Sequence, residues 1–166
     1  MTETAETMAR TGGCQCGALR FRAEALRRDA HVCHCRMCQK AGGNLFMAFV
    51  GVEAADFAWT RGTPGAFRSS PHVARGFCPA CGTPLFYRHD DSSYLAVAIG
   101  AFDRPETIPL AFQLGKAKRL PQVGQLAEVT DHGPIEQTAP DFARSVKATR
   151  RQHPDHDTES WPPTAS

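Results

Sequence analysis

Seven cysteines carry most of the chemical potential of this chain, and they fall in three tight groups. They run Cys14-x-Cys16, Cys33-x-Cys35-x-x-Cys38 and Cys78-x-x-Cys81, and none stands alone. An odd number cannot be paired fully into disulfides. In a reducing compartment, thiols clustered this closely read as metal ligands, and zinc is the metal such sulfur sets favour. Disulfides and free structural thiols are the competing readings.

Two of the groups have the form of zinc knuckles. In Cys78-Pro79-Ala80-Cys81-Gly82 the spacing lets both sulfurs turn toward one point, and Gly82 can take the positive φ that closes the turn. Cys14-Gln15-Cys16-Gly17 repeats the glycine after its second cysteine and is the expected other half. A metal shared by the four would staple the start of the domain to its middle. Its binding energy would then be folding energy, on the order of ~10 kcal/mol for a structural zinc.

The triplet Cys33-His34-Cys35-Arg36-Met37-Cys38 is different. Three thiolates within six residues can converge on one ion and leave the fourth tetrahedral position open, which is the catalytic arrangement. A histidine would close it instead, and His31, His34, His72, His89 and His132 are on offer. Cys14 and Cys16 could also pair with Cys33 and Cys35, although the tight spacing of the triplet favours keeping it together. Zinc with three thiolates carries a formal charge of −1, a poor Lewis acid toward water but a suitable host for a substrate thiolate. The expectation is two zinc ions per chain and a small-molecule thiol or thiol adduct as partner.

These ligands must be positioned by a small domain. The chain has 166 residues, 42% of them apolar and 22% charged, with a formal net charge of +2. That suits one soluble domain with a real core. The charge is too slight to imply nucleic acid or an anionic membrane. No apolar run approaches the length of a membrane span, and the polar start has no signal-peptide pattern. The cytosol, where thiols stay reduced, is the expected location.

Residues 1–11 read as a disordered lead-in, 12–139 as the zinc-binding domain and 140–166 as an extension. Leu19 to Arg22, Phe46 to Val52, His72 to Phe77 and Tyr94 to Ile99 carry strand patterns. Glycine, proline and aspartate turns separate them, at Gly42-Gly43, Gly62 to Gly65, Ser70-Pro71 and Asp90-Asp91. A mainly β, antiparallel domain follows, with one short helix near Arg36 to Ala41. A second helix is predicted over Asp141 to Arg151 with Asp141 as its N-cap, followed by a tail that is extended over the surface or mobile.

Recognition of a small thiol that carries carboxylates would need at least one well-placed cation. Arg36, Lys40, Arg68, Arg75 and Arg88 lie near the cysteine groups in sequence, and Lys40 and Arg75 are the first candidates. Each competes with a plain surface charge. His34, between two ligands, is the candidate catalytic residue, as a base or as a group orienting a thiolate; an exposed bystander is the alternative. Phe46, Phe49, Phe77 and Phe86 read as core, with some chance of lining a pocket. The basic stretch Arg144 to Arg151 has no interleaved aromatics and makes a weak case for nucleic acid.

At these residues the sequence resembles the glutathione-dependent formaldehyde-activating enzyme family, which includes centromere protein V. The resemblance rests on Gly12-Gly13-Cys14-Gln15-Cys16-Gly17 with Arg20-Phe21, and on Cys33-His34-Cys35-Arg36-Met37-Cys38-Gln39-Lys40 with Gly42-Gly43. Ser69-Ser70-Pro71, Arg75 through Leu85, and Gly100 through Pro105 continue it in the same order. It implies a β-tent fold of small antiparallel sheets stapled by zinc. It implies a structural zinc on Cys14, Cys16, Cys78 and Cys81, and a catalytic one on Cys33, Cys35 and Cys38. The implied activity is that of a carbon–sulfur lyase interconverting glutathione plus formaldehyde with S-hydroxymethylglutathione. A non-catalytic, zinc-stabilised binding module on the same scaffold is the alternative. One departure bears on the substrate: Pro109-Leu110-Ala111-Phe112-Gln113 lacks the histidine that members often carry there.

Overall fold

The computed structural model describes residues 8–161. It contains ten strands among the described residues: β1 (Arg10–Gly13), β2 (Arg20–Ala23), β3 (His31–Cys33), β4 (Met47–Glu53), β5 (Phe57–Arg61), β6 (Gly65–Ser70), β7 (Val73–Phe77), β8 (Pro84–His89), β9 (Tyr94–Ala98) and β10 (Phe112–Leu114). One sheet has the order β1-β2-β5, and the other β10-β3-β4-β9-β8-β7-β6. Every pairing is antiparallel except that of the edge strand β10, which lies parallel to β3. The four strands expected from sequence are present, as β2, β4, β7 and β9. The expected short helix is α1 (Arg36–Gly42). β1 begins at Arg10, two residues before the boundary expected for the domain. Residues 1–7 of the expected lead-in lie outside the described residues.

The core lies between the sheets, and the alternation of the strands explains why. Directly opposed residues share a face. Val50 with Val97, and Val52 with Leu95, are opposed across β4 and β9, and Phe86 of β8 also opposes Val97. These apolar side chains point inward. Phe21 of β2, fully buried, meets them from the smaller sheet. Its ring stacks on Phe57 at 5.3 Å and meets Trp59 and Phe102 edge-on. Trp59 reaches Phe86 at 6.1 Å and joins the two sheets. The opposite face of the larger sheet carries Phe67, Arg75 and Tyr87 in register, with Phe49 beyond. That outer face borders the cysteine triplet.

After β10 come two short helical turns, α2 (Gln122–Gln125) and α3 (Ile135–Thr138), and then α4 (Pro140–Thr149). The helix predicted over Asp141 to Arg151 is therefore formed, but Ala139 is its N-cap. Pro140 takes the first helical position, where its missing N–H costs nothing, and Asp141 falls in the first turn. Of the two forms expected for the tail, residues 151–161 take the extended one: they have no regular secondary structure and dock on the first cysteine knuckle, as detailed below, while residues 162–166 lie outside the described residues. Among the described residues, no helix is long and apolar enough to cross a membrane.

Candidate metal centres

The structure brings the seven cysteines together as four and three. The sulfurs of Cys14, Cys16, Cys78 and Cys81 all lie within 4.8 Å of one another, and so do those of Cys33, Cys35 and Cys38. All seven are free thiols. Cys14 and Cys16 therefore do not join the triplet.

The first cluster is built from two turns. One connects β1 to β2, and the other follows β7. Cys14 N donates to Leu19 O at 3.0 Å, and Cys78 N to Thr83 O at 2.9 Å. Gly17 and Gly82 adopt φ of 74° and 79°, values at which any side chain would be strained. Thr83 locks the turns together. Its hydroxyl accepts from Gln15 N at 3.0 Å and lies 3.1 Å from Cys81 Sγ. Sulfur separations fit the size of a metal site. Zinc–sulfur bonds of about 2.3 Å give a tetrahedron with edges of about 3.8 Å. Cys14 to Cys16 is 3.6 Å, and Cys16 to Cys78 is 3.9 Å.

The thiols are electrostatically unequal. Burial pushes Cys14 up to about 12, against the pull of the Leu19 N–H on its sulfur. Burial would also raise Cys81, but hydrogen bonds from the Thr83 hydroxyl and nearby backbone outweigh it and bring the thiol down to about 6. Four sulfurs that cannot all ionise together without a counter-charge are a donor set suited to a divalent cation.

The triplet sits where β3 runs into α1. Cys35 caps the helix, and its sulfur accepts from Cys38 N at 3.4 Å. Although burial opposes it, that bond helps hold the Cys35 thiol below its usual range. Cys38 is nearly enclosed, and burial pushes it up to about 12 even though Arg75 lies beside it. Among the described residues, no histidine or carboxylate joins the three sulfurs. His31 instead places Nδ1 on Asp29 O and stacks on Phe112, while His72 and His89 stack on each other. Of the histidines offered by sequence, none closes this set.

His34 is no exposed bystander. It is 1% exposed, with Nε2 3.2 Å from Gln113 Oε1, and Nδ1 has no partner among the described residues. Phe46 meets its ring edge-on. The two candidate cations differ. Arg75 donates to Cys38 Sγ at 3.6 Å and lies over the Tyr87 ring. Lys40 is exposed in the last turn of α1. Arg68 is engaged with Asp90.

Sequence reasoning missed three supporting groups. Gln39, buried on α1, donates to the carbonyls of His34 and Lys118 and so ties the triplet to the chain beyond β10. Arg20 pairs with Asp103, although both stood in the motifs quoted above. Their link had no sequence signal, because hydrogen bonding across 83 positions leaves no local period.

The third group is the C-terminal strap. His153 N donates to Gln15 O at 2.8 Å, and Trp161 Nε1 donates to Cys16 O. Arg61 donates to Gly17 O at 3.1 Å and also to Thr158. A Cβ at Gly17 would stand 2.3 Å from both His153 and Trp161. Strap and knuckle are thus packed on each other. Ending the chain at Arg150 should leave the four cysteines in place but open their backbone to water. Hydrogen exchange at Gln15, Cys16 and Gly17 is expected to speed up at least about tenfold, equivalent to ~1.4 kcal/mol of lost protection. Unchanged exchange there would show that the strap does not protect the knuckle.

The comparisons with known proteins agree with this geometry. The sequence model of the family described as glutathione-dependent formaldehyde-activating enzyme matches residues 9–114. A Schizosaccharomyces pombe protein, named only as an uncharacterized lyase, is 30% identical over 78 residues. That stretch covers 47% of this chain and 56% of the yeast protein, so the chain spans about half the length of this curated relative. A crystal structure of a Rhodobacter sphaeroides protein superposes with a TM-score of 0.52 at 21% identity, covering 62% of this chain and 98% of that one. At that identity the likeness speaks for the fold. The family match takes in both knuckles, the triplet, Arg75 and the Asp103 turn, and it stops short of the strap. Through that shared part, this chain belongs to the glutathione-dependent formaldehyde-activating enzyme family.

Proposed function

We propose that the protein is a zinc-dependent carbon–sulfur lyase acting on a thiol–aldehyde adduct, of which S-hydroxymethylglutathione is the family's example. The observation that carries this reading is the triplet: three convergent sulfurs with no fourth ligand atom among the described residues, and a guanidinium at the edge. Cys33, Cys35 and Cys38 would hold the ion, and the four-cysteine cluster would hold a second, structural one. Zinc in the triplet would supply a soft electrophilic seat that keeps a sulfur in its thiolate form.

The remaining work falls to the chain's own side chains. Arg75 has donors left beyond the one aimed at Cys38. They can meet an oxygen on the carbon next to sulfur as charge grows there. His34 serves by position: it is enclosed and tied to Gln113, and its backbone is held by Gln39 and Leu114. That fixes the loop carrying Cys33 and Cys35. Lys40 is left as an outer contact for a carboxylate.

Exchange spectroscopy on glutathione with formaldehyde, with and without the zinc-loaded protein, tests the reading. Accelerated exchange is expected. If the protein leaves exchange at its spontaneous rate, this adduct is not the substrate. Arg75→Ala should lower kcat about 10²-fold, as loss of one oxyanion donor does elsewhere. Arg75→Lys should recover part of that, because it restores charge without the fork. Equal activity in Arg75→Ala and the parent would remove Arg75 from the chemistry.

A further inference from the structure

Beside the triplet lies a pocket of about 200 Å³. Ala41, Met47, Phe67, Phe77 and Phe86 contribute to its apolar lining, and Arg75 is the one charged residue lining it among the described residues. Sheet register explains part of the arrangement. Phe67 opposes Arg75 across β6 and β7, so the two side chains share a face. Gly65 opposes Phe77 in the same pair of strands, which brings Phe77 to that face as well. Phe67 is 63% exposed and marks the outer rim. The inner end is marked by Arg75, whose guanidinium reaches Cys38. The pocket therefore has a polar end at the sulfur cluster and an aromatic body leading away from it.

This shape suits neither half of S-hydroxymethylglutathione. No acidic side chain lines it to receive an ammonium, and a single guanidinium would face two carboxylates. Formaldehyde, with two heavy atoms, would fill little of a space that corresponds to roughly six water volumes of about 30 Å³ each. Exposed and half-buried aromatic side chains around one cation match a different ligand, one with an oxygen at one end and an apolar body.

We propose that the pocket holds the apolar carbon group of the aldehyde half of the adduct. The substrate class is then the thiohemiacetal of a thiol with an apolar aldehyde of about six to eight carbons, a size set by the volume above. This rests on the lyase reading of the same site. The reaction is redox-neutral. In RCH(OH)–SR′ the carbon–sulfur bond breaks, the bonding pair leaves with sulfur, the carbon–oxygen double bond forms, and the hydroxyl proton ends on the thiol. Arg75 meets the oxygen, and the chain R lies along Phe67 and Phe77.

The test uses the full, zinc-loaded chain with one thiol, 2-mercaptoethanol, and the series formaldehyde, butanal, hexanal and benzaldehyde, with exchange followed by NMR. The expected result is a kcat/KM that rises roughly three- to fourfold per methylene, the usual yield of burying one CH₂. Ala41→Phe, which fills the pocket from exposed α1, should lower the hexanal-to-formaldehyde ratio at least about tenfold. Phe67→Ala, at an exposed rim position, should lower the same ratio by a smaller factor. Acceleration of formaldehyde with a flat or falling response to chain length would overturn the pocket assignment and leave the lyase reading standing. Acceleration of no aldehyde would overturn both.

Discussion

Replacing Cys78 with alanine is expected to abolish the folded state, while the same change at Cys38 leaves the domain folded with one metal fewer. Cys78 is fully buried and belongs to a cluster that joins the β1–β2 turn to the end of β7. Its sulfur lies 3.9 Å from that of Cys16, 62 positions away in sequence. A metal closing so long a loop removes much freedom from the unfolded chain. Its contribution, about 10 kcal/mol for a structural zinc, is comparable with the whole stability of a domain, roughly 5–15 kcal/mol. The triplet spans six residues on one strand and one helix, so its closure constrains far less chain. Metal analysis and thermal melts separate the outcomes. Cys78→Ala should show no cooperative melt, and Cys38→Ala should melt cooperatively with one equivalent of zinc less than the parent. If Cys38→Ala unfolds as completely as Cys78→Ala, the triplet is a second structural site, and the binding-module reading replaces the lyase.

The cysteines that could hold metal were the most legible part of this sequence, because local spacing and local geometry coincide there. Cys33, Cys35 and Cys38 are neighbours in the chain, and the strand-to-helix junction that joins them is a few residues long. The glycines after Cys16 and Cys81 announced their positive φ directly. Strands were legible where burial selects an apolar run, as in β4, and less so at edges such as β6 and β10, where exposure removes that selection. What pairs with what was not legible. The sequence shows Phe49, Phe67 and Phe77 as apolar residues, but only the register of β6 and β7 brings Phe67 and Phe77 to the face of Arg75. The docking of the strap was illegible for a related reason. His153 to Trp161 is polar, with Asp155, Asp157 and Glu159, a composition typical of mobile tails. Its docking depends on a few hydrogen bonds to the knuckle's carbonyls, and these leave no compositional trace.

Breaking the Arg20–Asp103 pair is the second large effect, and it acts beside the first knuckle, where both residues line one pocket with Cys14. Arg20 is 3% exposed and Asp103 8%, and the guanidinium grips the carboxylate through two bonds of 2.8 and 2.5 Å. The Thr11 hydroxyl donates to the same carboxylate, and Asp157 of the strap accepts two further bonds from Arg20. The pair thereby fastens β1, β2, the turn after β9 and the strap at one point. Arg20→Ala leaves a buried carboxylate without its cation, a change that typically costs 3–5 kcal/mol, or very roughly 10 °C in a domain of this size. Arg20→Met combined with Asp103→Leu removes both charges and should cost clearly less than the two single changes summed. Acid sensitivity gives an independent reading. Burial alone would raise the Asp103 carboxyl, but Arg20 and Thr11 outweigh it and hold it below the usual aspartate range. A carboxyl depressed in the folded state stabilises above its unfolded value, about 3.9, and that stabilisation is lost as pH falls through the lower folded value. Cysteine ligands also take up protons in acid and release metal, so the parent's own acid unfolding reports both effects. Comparison with Asp103→Asn isolates the pair. The stability gap between parent and variant should hold constant above about pH 5 and narrow below about pH 4. A gap that stays constant down to the acid transition would mean that Asp103 has the same proton affinity folded and unfolded, and that its grip on Arg20 adds nothing to stability.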